Sequence, residues 1–277
     1  MNPDISSIDE GTAQNSSSLV TARFLSQGTV LISGVLFFTI LGWILLRYQW
    51  DLPLSTAFMS GIGLSLVVLT LPVLVSLRHV IREYGHPSIT VPTWITLFRG
   101  SLVILFVGIF VGSASTLASG QWVVLSPDMQ WMLVLLFTGA GVLDAVDGAV
   151  ARRFNAVSSL GAELDAEIDA LVMLFGSLAA VLLGGASTLF ILVGFARYWF
   201  VGSLWLLERS GHDLRELPPS RIRTPLSIAA LGAISLALIP TIPGILSWWI
   251  SFFIAMPFLT NFVWDWLRCA GMTDSPR

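Results

Sequence analysis

Apolar residues fall in eight blocks along the chain, at about 29–47, 54–77, 93–117, 130–151, 158–184, 186–207, 224–243 and 245–267, with polar residues gathered in the connections. Each block is near the roughly 20 residues that a helix needs to cross the hydrocarbon core. Backbone groups in lipid must be satisfied within the segment or by a closed barrel, and blocks of this length select helices. The pattern predicts an all-α integral membrane protein with eight spans. Residues 1–27 are polar and rich in Ser, Thr and Asn. They lack the basic start and short apolar core of a signal peptide and read as a disordered cytosolic tail. Two helices and an interfacial segment then occupy 28–91, a six-helix unit occupies 92–268, and a short tail occupies 269–277.

Composition supports the membrane class. Hydrophobic residues make up 55% of the 277 positions and charged residues 11%, with a mean hydropathy of +0.83. Soluble domains carry about 25% charged residues. The net charge of −3 is clustered rather than spread, and no nucleic-acid partner is expected. All 14 basic residues are arginine, so any phosphate contact by a cationic side chain falls to a guanidinium, which binds in fork geometry. The single cysteine, Cys269, excludes an internal disulfide.

Arginine placement predicts orientation. Arg78 and Arg82, Arg152 and Arg153, the loop with Arg209, Arg215, Arg221 and Arg223, and the C-terminal Arg268 and Arg277 mark every second connection. The connections 118–129, near 185 and near 244 hold none. The basic connections then face the cytosol, with both termini on that side. Arg47 is the exception, balanced by Asp51.

Against this apolar background, residues 144–169 hold six of the 17 acidic residues. A charged group in hydrocarbon costs roughly 2.5–3.5 kcal/mol even on lenient insertion scales, so the cluster requires a compensating partner. Asp144, Asp147 and Ala151 are spaced i, i+3 and i+7, with Gly148 at i+4, which puts them on one helix face. Gly161, Asp165 and Asp169 are spaced i, i+4 and i+8 and share a face of the next helix. A short turn between the helices predicts antiparallel packing and four converging carboxylates. Hard divalent cations take such oxygen ligands, and the two glycines leave space for a ligand near the backbone.

The run D-x-x-D-G-x-x-A-R, eight residues, then G-x-x-x-D-x-x-x-D is complete here as Asp144, Asp147, Gly148, Ala151, Arg152, Gly161, Asp165 and Asp169. It resembles the signature of the CDP-alcohol phosphatidyltransferase family. Pro92-Thr93-Trp94-Ile95-Thr96-Leu97-Phe98-Arg99 is similar to the start of that family's first helix, with Thr93 where asparagine is usual. The resemblance covers about 92–267. It implies a six-helix bundle, here preceded by two extra helices, that moves a phosphatidyl group from CDP-diacylglycerol to an alcohol and releases CMP in phospholipid biosynthesis. It also implies two Mg2+ or Mn2+ ions held by Asp144, Asp147, Asp165 and Asp169, with Asp169 as proton acceptor. Gly148, Ala151, Arg152, Gly161, Thr96 and Arg99 would contact the nucleotide side. Family members are often dimers, so a homodimer is one expectation. A bacterial inner membrane, with the site on the cytosolic side, is the expected location.

Several polar residues lie outside the motif. Arg197, Arg221 and Arg223 are candidate contacts for the acceptor and lean toward a phosphorylated one, although structural pairing or lipid headgroups would account for them too. Glu163 and Glu167 point off the aspartate face, and Arg197 is a candidate partner for Glu167. His79 and His86, in an interfacial stretch expected at 78–92, read more readily as solvated histidines than as metal ligands. The alternative function is a divalent cation transporter or channel using the intramembrane aspartates. The Gly, Ala and Arg positions of the motif are not ones that a cation pathway needs.

Overall fold

The computed structural model describes residues 5–50, 56–84, 89–113, 125–154, 159–212, 214–215 and 220–272. The side chains of 5–23 and of several helical residues, Asp147, Ala151 and Arg152 among them, lie outside the described set. The described residues form helices and no strands: α1 (Ile5–Trp50), α2 (Thr56–Tyr84), α3 (Val91–Ser113), α4 (Pro127–Phe154), α5 (Ser159–Leu182), α6 (Phe190–Arg209), α7 (Arg223–Leu238) and α8 (Gly244–Cys269).

Among the described residues, six helices are long and apolar enough to span a membrane: α1, α2, α3, α4, α6 and α8. The other two expected spans differ for separate reasons. Helix α5 is 24 residues long, but its first half carries Glu163, Asp165, Glu167 and Asp169. Helix α7 has only 16 residues, about 24 Å at 1.5 Å per residue. Helix α1 runs back to Ile5, through the stretch expected to be disordered, while its apolar window starts at Phe24. A formed span supplies the costly nucleus, and each further residue then adds a hydrogen bond.

Helix α3 is the hub. Its apolar window is 72% buried, against 17–33% for the other five spans. It packs on α1, α2, α4 and α5, and Ile104, Leu105, Phe106, Val107 and Ile109 lie within the core. A glycine seam brings α2 onto it. A Cβ at Gly112 would come within 3.0 Å of the Phe58 Cα, and one at Gly108 within 2.6 Å of Ile62 Cγ1. Spaced i and i+4, these two glycines form the small-residue seam that lets helix backbones approach closely in a membrane.

The interfacial helix expected around 78–92 is instead the last turns of α2, which reach Tyr84; residues 85–88, with His86, lie outside the described set. Val80 and Ile81 are buried in the core rather than held in headgroups. They continue the buried series of Leu69, Val73 and Leu77 at helical spacing, so the face that meets α3 and α5 simply extends.

The helices alternate in direction. Arg223 at the start of α7 meets Asp265 near the end of α8, and Trp266 bonds Ser203 near the end of α6. At the opposite end, Gly185 lies against the carbonyl of Ala237. Arg209 and Arg268 stack over Trp205 and Trp264 at the end that carries Arg223. Such amphipathic pairs suit the membrane–water boundary.

The seam is testable. Gly112→Leu should lower the thermal midpoint in detergent by about 5 °C, from the 1–3 kcal/mol that overpacking typically costs. Gly63→Ala on the same α2 helix, where an added Cβ meets nothing within 4 Å, should leave the midpoint unchanged or slightly raised.

Candidate active site

Helix α5 buries Leu160, Leu164, Ile168 and Leu171 at spacings of four, four and three. That stripe faces the core. Asp165 and Asp169 each follow a buried member of the stripe by one residue, about 100° around the helix, so they sit at its margin. Their side chains are 39% and 54% exposed, and that of Asp144 on α4 is 41% exposed. One carboxylate oxygen from each of the three lies within 4.8 Å of the other two. Oxygen donors this close suit a hard divalent cation. Asp147 follows Asp144 by one turn of α4, but its side chain lies outside the described residues, as do those of Ala151 and Arg152. Gly148 and Gly161 are half-buried on α4 and α5.

Three of the four carboxylates expected to converge from α4 and α5 do so, and a third helix joins them. Helices α4 and α5 touch each other only lightly, because α3 packs on both. They meet directly where the Phe137 ring of α4 lies against Gly176 of α5, and Arg99 of α3 bridges their carboxylates. Its Nη1 donates to Asp144 Oδ1 at 2.5 Å and its Nη2 to Asp169 Oδ1 at 2.8 Å. Nη2 also lies 2.9 Å from Asp165 Oδ1 and donates to the main-chain carbonyl of Asp165 at 3.1 Å. Arg99 is 1% exposed. An arginine this deep needs ionic partners, and three carboxylates supply them. The sequence reading placed Arg99 on the nucleotide side; its partners here are the motif aspartates. Thr96, one turn earlier, is buried and donates its hydroxyl to the Pro92 carbonyl at 3.0 Å. Thr93, where asparagine is usual, accepts from the Thr90 amide at 3.2 Å.

A cavity of about 250 Å³ adjoins Asp169. It lies between α5, α6, α7 and α8, with Arg197, Ser227 and Phe258 in its wall. Gly194 sets this geometry, since a Cβ there would lie 3.2 Å from the Leu174 Cα of α5. One turn later, Arg197 donates to Glu167 at 2.7 Å, the pairing expected for that glutamate. His79 of α2 lies 3.6 Å from Glu163 of α5 and 3.7 Å from Glu83, among exposed groups.

Arg223 and Arg221 part company. Arg223 grips Asp265 with two bonds, Nε at 2.7 Å and Nη2 at 3.1 Å, and Asn261 adds a third bond to that carboxylate at 3.0 Å. Asp265 is 6% exposed, so this is an interior tie between α7 and α8. Arg221 is exposed. No signal in the sequence links Arg223 to Asp265, 42 positions away. Asp265→Ala should cost about 1.5–3 kcal/mol, the usual range for hydrogen bonds to charged groups, read as a fall in thermal midpoint.

Residues 89–259, more than half of the chain, match the sequence profile described as CDP-alcohol phosphatidyltransferase. No curated protein and no solved structure matches the chain. The matched stretch contains all eight signature positions, the α3 helix with Arg99, and the cavity beside Asp169. The chain therefore belongs to the CDP-alcohol phosphatidyltransferase family.

Proposed function

We propose that this protein transfers the phosphatidyl group of CDP-diacylglycerol to an alcohol, with release of CMP, at the cytosolic side of a bacterial inner membrane. The observation that carries the reading is the approach of Asp144, Asp165 and Asp169 to within 4.8 Å of one another, inside a stretch matched by the family profile. The oxygen-only donor set suits two Mg2+ or Mn2+ ions, with Asp144, Asp147, Asp165 and Asp169 as the residues that would hold them. Bound there, the ions would offset the negative charge that displacement at phosphorus builds on its oxygens.

In this reading the acceptor oxygen attacks the phosphorus that bears diacylglycerol. A bond forms between them, and the bond from that phosphorus to the bridging oxygen of CMP breaks. CMP leaves with the electron pair of that bond. Asp169 takes the hydroxyl proton of the acceptor; it is the most exposed of the three carboxylates and borders the cavity. Gly148, Gly161, Ala151 and Arg152 would receive the cytidine and its phosphates, with small residues for close approach and the guanidinium for charge. The acyl chains would stay in lipid, beside the exposed apolar residues of α4 such as Leu135 and Val142.

The acceptor would occupy the cavity beside Asp169. Arg197 in its wall and exposed Arg221 favour an acceptor that carries a phosphate. Arg221 is the strongest candidate of the three, because Glu167 already engages Arg197 and Asp265 engages Arg223. The family match and a guanidinium seated among the carboxylates weigh against an ion pathway.

Purified Asp169→Asn or Asp144→Ala, assayed with CDP-diacylglycerol and a panel of alcohols, should lose about 100-fold or more of CMP release, the lower end for removing an acid–base group. Undiminished release would reject the reading. Arg221→Ala should raise the acceptor KM about tenfold, as expected for one lost charge-assisted bond. An unchanged KM would remove the argument for a phosphorylated acceptor.

A further inference from the structure

Arg99 is the one residue that touches all three described aspartates, and its burial assigns it a task. At 1% exposure, no part of its side chain meets water, whereas the carboxylates it holds are 39–54% exposed. The guanidinium thus lies on the core side of the cluster and the water-facing surface of the carboxylates lies on the other. Its ionic contacts with Asp144, Asp165 and Asp169 are each to an Oδ1 atom.

We propose that Arg99 is a positioning residue for the metal site, a fixed cationic base that draws Asp144, Asp165 and Asp169 together from the core side and so presents their carboxylates to divalent cations as one set. This rests on the metal-site reading above. Three carboxylates this close repel one another, and the direct packing of α4 on α5, at Phe137 and Gly176, lies seven positions along the chain from Asp144 and Asp169. The planar fork solves the geometry. Nη1 serves α4 while Nη2 serves α5, and the further bond to the Asp165 carbonyl ties the fork to the backbone of α5. Lysine, with one compact ammonium, cannot span both helices in this way. Arg99 is itself aimed from the most buried helix of the fold, and Gly100 beside it lets α3 approach Ile168 of α5. Residues that orient metal ligands from behind typically change metal affinity by 10–100-fold when replaced.

The test is Arg99→Lys, which keeps the charge and removes the fork. Binding of Mn2+ alone, with no nucleotide present, is followed by electron paramagnetic resonance on the detergent-solubilised protein. The dissociation constant should rise about tenfold, the low end of that range. The metal-free thermal midpoint should also fall. Equal or tighter Mn2+ binding in Arg99→Lys overturns the proposal, and so does unchanged Mn2+ binding with a raised KM for the CDP-linked donor, which would make Arg99 a substrate contact. Should Arg99→Lys not be recovered folded, a Mn2+-bound structure of the unaltered protein decides. Arg99 still seated on the three aspartates supports the proposal, and a guanidinium displaced from them refutes it. Absence of Mn2+ binding in the unaltered protein, or binding undiminished in Asp144→Ala, would instead sink the metal-site reading itself.

Discussion

One guanidinium and three carboxylates organise the membrane interior of this protein. Arg99 could not remain buried without them, because an unpaired ion removed from water costs several kcal/mol even after the protein relaxes. The carboxylates in turn could not sit together on the flanks of two apolar helices without a cation. Each side of the interaction makes the other tolerable. The geometry follows: α3 must be central, because it carries the cation, and α4 and α5 must flank it, because they carry the anions.

The centrality of α3 also explains where the two extra helices go. Both pack on α3, and the glycine seam of Gly108 and Gly112 lets α2 lie almost backbone to backbone with it. In lipid there is no hydrophobic gain from hiding apolar side chains, so close packing of this kind is what holds helices together. The result is a hub held on several sides, with a polar cluster opening on one. The cavity beside Asp169 is built by the other half of the bundle, where Gly194 brings α6 onto α5 and the Arg223–Asp265 tie joins α7 to α8.

Much of this was legible in the order of residues. Eight helices follow from eight apolar blocks, and the aspartates announce themselves by falling at helical spacing in a chain with few charges. The Arg197–Glu167 pair was also accessible, since a charged residue deep in a span demands a partner. Other features were not. Val80 and Ile81 fall in the stretch expected to be interfacial, yet a helix does not stop at a charge when its apolar face continues. Helix α7 falls short of the expected 224–243 because it ends at Leu238, two residues before Pro240. The Arg223–Asp265 tie joins positions whose proximity only the packing of α7 on α8 creates.

What the chain determined by itself is therefore local: which stretches are helical and apolar, and which face of each helix carries the acids, because both depend on spacing along one axis. What only the tertiary structure decided is which helix stands between which. The short turn between α4 and α5 suggests a direct pair, and the folded protein keeps that contact, Phe137 on Gly176, but also packs α3 against both helices. The reason is physical. Neighbourhood in a bundle is set by the sum of close backbone packing and charge compensation over all helices, and Arg99 reaches both sets of aspartates because its helix packs against both.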